Sequence, residues 1–248
     1  MPVRFPEGVI HGFLALTTLD GETVGSGDSI QTVEADRVTN RLLFRFEDGS
    51  ISDETTVFSQ RGSFRLLSYR QVQQGPTFKE PIDLSIDAGS GKVTVKHNKE
   101  DGEKEIITKL MTLPPDLANG LVVVLLKNLP PGSRGLRLPM LAATPQPRLI
   151  ELVISPAMEE PAVIGATQRK VARFTAKVEI GGLLGFAARL LGKLPPDSRV
   201  WIYREMSPTF VKSESPLYMG GPVLRTQLVG PTWPAAPPER PVPVASRR

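Results

Sequence analysis

The chain has 248 residues, 40% of them hydrophobic and 23% charged, which is enough apolar material for a buried core and argues against disorder of the whole chain. Its 30 Lys and Arg against 26 acidic residues leave a formal charge of +4, spread along the sequence, which sets aside a clustered nucleic-acid footprint. With no cysteine, disulfides, thiolate catalysis and cysteine-ligated zinc are excluded, and no apolar run approaches the roughly 20 residues of a transmembrane helix.

Short runs of alternating apolar and polar residues, punctuated by glycine and proline, predict antiparallel strands along most of the chain. Met1-Pro2-Val3-Arg4-Phe5 has no basic region leading into an apolar one, so no signal peptide is expected in the sequence as written. Val9 to Thr17 reads as a strand with Ile10, Leu14 and Leu16 on one side and His11 and Phe13 on the other. Asp20-Gly21 and Gly25-Ser26-Gly27-Asp28 read as the turn and loop that end it. In Val38 to Phe46, residues Val38, Asn40, Leu42, Phe44 and Phe46 share a face, with Thr39, Arg41 and Arg45 opposite. The turn Glu47-Asp48-Gly49-Ser50 then returns the chain as Ile51 to Gln60, a β-hairpin.

Phe64 to Gln73 follows, with Phe64 and Leu66 opposed to Leu67 and Tyr69. Ile82, Leu84 and Ile86, then Val93 and Val95, then Ile106 to Leu110 complete a meander joined by glycine turns. Proline at 114 and 115 with Asp116 resembles the start of a helix, so Leu117 to Asn128 is expected to be helical, with a buried strand as the alternative. Further strands are expected at Leu136 to Ala142, Arg148 to Ser155, Lys170 to Ile180, Arg199 to Arg204, Phe210 to Ser213 and Val223 to Val229. The predicted organisation is one β-rich domain over residues 1–230, then a Pro-rich extended or disordered tail over 231–248.

Few residues offer chemistry. His11 lies on a strand and His97 beside a charged turn, and neither is spaced with partners for a metal. No Gly-x-Ser-x-Gly elbow, phosphate loop or Gly-x-Gly-x-x-Gly occurs, so no cofactor is expected. Glu47, Asp48, Asp53 and Glu54 flank the first hairpin, where paired carboxylates are one route to acid–base catalysis and a soluble hairpin end is the simpler reading. In Gly181 to Pro196, residues Leu183, Phe186, Ala187, Leu190 and Leu191 would share one face of a short helix. That helix either plugs the open side of the sheet or forms a glycine-hinged lid or lipid-touching patch. The second reading makes Leu183, Leu184, Phe186 and Leu190 the candidate ligand-binding residues.

Ile51 to Gln60, the strand holding Phe64 to Tyr69, the Ile82 to Val95 hairpin, Pro114 to Gly120, Val200-Trp201-Ile202 and Pro216-Leu217-Tyr218 together resemble uncharacterised exported bacterial proteins known as domains of unknown function. The resemblance is one of layout over most of residues 8 to 230. It implies a β-rich, periplasmic or secreted protein distantly like the open barrels of lipoprotein carriers, and it carries over no functional residue. The expected fold is mainly β, a strongly curved antiparallel sheet or half-open barrel with one or two short helices on the concave face. The expected function is non-enzymatic binding of a lipid, another hydrophobic small molecule or an envelope protein, without nucleic acid or a transmembrane segment. A hydrolase using a histidine or carboxylate in the concavity, and a purely structural surface module, are the alternatives.

Overall fold

The computed structural model describes residues 1–99, 102–164, 167–179, 195–205 and 207–230. Eight strands run as a meander: β1 (Ile10–Thr17), β2 (Thr23–Glu34), β3 (Arg37–Phe46), β4 (Ile51–Ser59), β5 (Arg65–Gln74), β6 (Ile82–Asp87), β7 (Lys92–Asn98) and β8 (Lys104–Leu110). A short helix, α1 (Val122–Asn128), precedes β9 (Leu136–Leu141), β10 (Leu149–Ile154), β11 (Met158–Ile164), β12 (Thr167–Glu179), β13 (Ser198–Tyr203), β14 (Thr209–Pro216) and β15 (Val223–Val229). β15 returns to pair with β1, so both halves join in one antiparallel sheet in the order β8-β7-β6-β5-β4-β3-β2-β1-β15-β14-β13-β12-β10-β9, with β11 pairing only with β12. The 13-residue β12 has room for both neighbours: β10 takes its Ala176–Glu179 end and β11 its Thr167–Arg173 end.

The sheet is curved but not closed, because β8 and β9 end the ladder without pairing. The segment around α1 fills the gap between the two halves. Leu117, Leu121, Leu125 and Leu126 are buried in one cluster with Val38, Phe58, Leu84 and Val95 from one half and Leu138, Ile154, Phe174 and Ile202 from the other. α1 is therefore apolar on most sides because it is covered on most sides. A second cluster, Leu14, Leu16, Phe44, Phe46, Phe78 and Leu224, packs where the two halves meet at β1 and β15. The fold class read from the sequence holds, with α1 as the helix among the described residues. The second helix, expected within 181–196, falls largely outside them, as does the tail 231–248.

Four sequence-based expectations are corrected. Gly25-Ser26-Gly27-Asp28 is not a loop but part of β2, where a Cβ on Gly25 would collide with the Arg45 carbonyl and one on Gly27 would lie 2.6 Å from the Phe44 ring. The glycines are there to admit the neighbouring strand, not to turn the chain. The helix starts at Val122 rather than at Leu117, with no acidic residue in its first turn. Residues 117–121 are used differently: Ala118 N–H donates to Pro139 O, and the Asn119 side chain exchanges hydrogen bonds with Leu141 N–H and C=O. Asn119 thus serves as a strand surrogate that satisfies the β9 edge.

In β5, Leu66 and Tyr69 both point inward, although their spacing should oppose them. The ladder steps from Val57↔Ser68 to Phe58↔Leu66, so Leu67 is a bulged extra residue that resets the alternation. His97 is a β7 residue rather than a turn residue, its Nε2 lying 3.1 Å from Glu105 Oε2 on β8. Met158–Ile164 forms β11, a strand that its Glu-Glu-Pro composition hides.

Candidate functional site

The inward register positions of β1 to β5 form successive rows across the strands. One row is Ile10, Gln31, Asn40, Thr56 and Tyr69; the next is Gly12, Ser29, Leu42, Glu54 and Gln71; the next is Leu14, Gly27, Phe44, Ser52 and Gln73. Adjacent rows are about 7 Å apart, two residues of strand rise. On β1 to β3 the rows run from polar to apolar, and Gly12, Ser29 and Gly27 carry almost no side chain, so part of the concavity stays empty. The result is a cavity of about 810 Å³ between this wall, α1 and β14–β15. Leu42, Phe44, Val123, Met140, Phe210 and Leu217 supply apolar lining, and Glu7, Gln31, Asn40, Glu54, Tyr69 and Lys127 the polar side.

The polar side is ordered by hydrogen bonds. Tyr69 donates its hydroxyl to Glu54 Oε2 at 2.9 Å. Burial pushes the Glu54 carboxyl above its ordinary range, the tyrosine hydrogen bond opposing this only in part. Tyr69 is held well above its own ordinary value, first by burial and then by the neighbouring carboxylate. Both shifts run toward the neutral form, and Glu54 is a carboxyl whose proton affinity the cavity raises.

A second polar element lies in the cavity wall. Lys127, in the last turn of α1, meets Glu7 Oε2 at 2.7 Å, and the two side chains are 12% and 4% exposed. The same oxygen accepts from Gln31 Nε2, which also donates to Gly8 O at 2.7 Å. Gln60 brackets Glu7 by exchanging two hydrogen bonds with its backbone, and Asn128 Oδ1 accepts from the N–H groups of Arg4 and Phe5. Residues 4–8 are thus strapped to the end of α1 on one side and to Gln31 of β2 and Gln60, just after β4, on the other, and Phe5 to Gly8 form part of the cavity wall.

The acidic cluster of the first hairpin is split by strand alternation. Glu54 points into the cavity, whereas Asp53 faces outward to a bidentate pair with Arg41. Asp48 accepts from Ser50 N–H and from the Thr77 hydroxyl, and Glu47 is exposed, so the four carboxylates form no catalytic pair. His11 lies on the outer face, 3.4 Å from Asp28, whose carboxyl Arg45 holds below the usual range at 2.8 Å. His11 therefore does not line the concavity in which the sequence-based alternative placed a catalytic histidine. Leu183, Leu184, Phe186 and Leu190 lie outside the described residues. Among the described residues no three His, Asp or Glu side chains are grouped to hold a metal ion, and no helix is long and apolar enough to cross a membrane.

No family model matches the sequence. Among curated proteins, a 96-residue stretch is 34% identical to the ATP synthase gamma chain of Bradyrhizobium diazoefficiens. That stretch is 39% of this chain and 30% of the relative, so the chain spans less than a third of that protein's length. Among solved structures, the chain is similar to the β-barrel-like protein of domain of unknown function DUF1849 from Brucella abortus, with a TM-score of 0.50 and 13% identity. The superposition covers 91% of this chain and 98% of that one. At that identity the likeness concerns the fold: a β-barrel-like, β-rich architecture of unknown function, as the resemblance read from the sequence implies.

Proposed function

We propose that the protein binds an amphipathic small molecule within the concavity of its sheet, with the apolar part toward Leu42, Phe44, Met140 and Leu217 and the polar part toward Glu54 and Asn40. The observation that carries this reading is the cavity itself. Its volume of about 810 Å³ falls within the roughly 300–1,000 Å³ of small-molecule sites, and mostly apolar walls with a few converging polar groups are the usual lining of such sites. A purely structural module would gain stability from filling this space, since each missing methylene forfeits packing contacts. The same reading treats the protein as a non-enzymatic binder that acts in the periplasm or outside the cell, which rests on the layout resemblance of its sequence.

Native mass spectrometry of the protein purified from bacteria tests the binding reading. The expected spectrum contains an adduct of lipid-like mass that is lost on denaturation. A spectrum of bare protein alone, with no uptake after incubation with lipid extract, would overturn it. Localisation is tested separately by fractionating the source cell, where recovery in the cytosol would contradict the extracytoplasmic assignment.

A further inference from the structure

The charges facing the cavity are more restrictive than its apolar lining. Among the described lining residues the charged side chains are Glu7, Glu54 and Lys127. Lys127 is already engaged by Glu7 at 2.7 Å, in a pair almost sealed from solvent. An anionic head group would therefore find no cation to meet it without breaking a buried ion pair, and it would approach a second carboxyl, that of Glu54. A cationic head group would have to shed its hydration, and it would need Glu54 ionised in a site from which the ligand has displaced water. For buried pairs that desolvation commonly outweighs the attraction.

A neutral head group meets neither obstacle. Glu54 Oε2 is already occupied by the Tyr69 hydroxyl at 2.9 Å, which leaves its other oxygen to accept from a hydroxyl, or to donate to one when the carboxyl is protonated. Beside it, the Asn40 amide makes only long contacts of 3.4 Å to Ser29 Oγ and Gln31 Oε1, which a ligand hydroxyl can replace with shorter ones. Asn40 precedes Leu42 by one inward step on β3 and Glu54 lies directly across from Leu42, so these polar groups sit where the wall turns apolar. We propose that the cavity selects amphiphiles with an uncharged, hydroxyl-bearing head group, of the monoacylglycerol class, over fatty acids and alkylammonium ions. This rests on the binding reading above.

The burial that raises the Glu54 carboxyl above its ordinary range works in the same direction, and a ligand that expels water strengthens it. The test is displacement of the neutral dye Nile red from the full chain at neutral pH by monopalmitoylglycerol, palmitate and hexadecyltrimethylammonium, each below its micelle concentration. Monopalmitoylglycerol is expected to displace the dye at a concentration roughly tenfold or more below either charged chain, a difference of about 1.4 kcal/mol. Glu54→Lys is expected to bring palmitate level with or ahead of the monoglyceride. Glu54→Gln, which keeps the shape and neutrality, is expected to retain the wild-type order and guards against misfolding of the lysine variant. Displacement by palmitate or the ammonium ion as good as by the monoglyceride overturns the head-group selection while leaving the binding reading intact. Failure of the wild-type protein to bind the dye or any of the three overturns both.

Discussion

Replacing Lys127 by Met isolates the contact that fastens the N-terminal segment over the cavity. The ammonium meets Glu7 at 2.7 Å with both side chains almost fully covered, so the substitution leaves a carboxylate buried with only the Gln31 amide as side-chain partner. Removing one member of a buried pair costs about 3–5 kcal/mol, most of it the penalty of the stranded charge. Gln31 remains in place, which puts the expectation near the lower figure. With a urea slope of about 3 kcal/mol/M for a chain of this size, the unfolding midpoint should fall by roughly 1 M. Adding Glu7→Gln removes the stranded charge, and the double variant should recover about 1–3 kcal/mol as a positive coupling between the sites. Urea denaturation followed by circular dichroism measures all four corners of the cycle. A loss below about 1 kcal/mol for Lys127→Met, or a double variant no better than the single one, would refute the pair as the fastening of residues 4–8.

Phe46→Ala should cost about 3–5 kcal/mol in the same assay, because the ring packs edge-to-face on Phe78 at 5.5 Å within the second core cluster; a loss under 1 kcal/mol would contradict the β3 register. Gly27→Ala should destabilise by roughly 1–3 kcal/mol through overpacking against the Phe44 ring, and combining it with Phe44→Leu should relieve part of that cost; a neutral Gly27→Ala would show that residues 25–28 tolerate a side chain after all. Because burial raises the Glu54 carboxyl in the folded state, the native protein holds that proton longer than the unfolded chain does, and its contribution to stability falls as pH rises above the ordinary glutamate range. Glu54→Gln removes this dependence, so its stability relative to wild type should rise from mildly acidic to neutral pH; a difference that is flat or of opposite sign would mean that the carboxyl is not desolvated.

The hairpin of β3 and β4 was readable because every rule involved is local. Alternation from Val38 to Phe46 fixes the faces, and Gly49 adopts the positive φ of 84° that its turn requires. β2 was not readable, because Gly25 and Gly27 answer to Arg45 and Phe44 on the next strand, a contact that exists only once the sheet is assembled. The start of α1 is hidden for a similar reason: Pro114-Pro115-Asp116 has the composition of a helix cap, yet the following backbone is claimed by the β9 edge. The bulge at Leu67 likewise hides in a sequence whose simple alternation assigns Leu66 and Tyr69 to opposite faces.

For the site, one clue was present in the sequence. Asn40 stands between Val38 and Leu42 on an otherwise apolar face, and a polar residue at an inward position marks either a buried hydrogen bond or an opening. Glu54 gave no such warning because Glu47, Asp48 and Asp53 surround it in sequence, and only the period-two alternation of β4 separates it from them. Glu7 and Lys127 are 120 positions apart, and their pairing belongs wholly to the tertiary structure.

The most direct measurement of the central claim is Nile red titration of the wild-type protein and of Val123→Trp, paired with the thermal midpoint of each. Val123 is a partly buried α1 residue on the cavity wall, so an indole there should occupy the space a ligand would take without replacing a fully buried core side chain. Saturable one-to-one binding by the wild type, reduced at least roughly tenfold in the variant with the midpoint shifted by no more than a few degrees, is the predicted result. Undiminished dye binding by a folded Val123→Trp variant would place the ligand elsewhere and contradict the account.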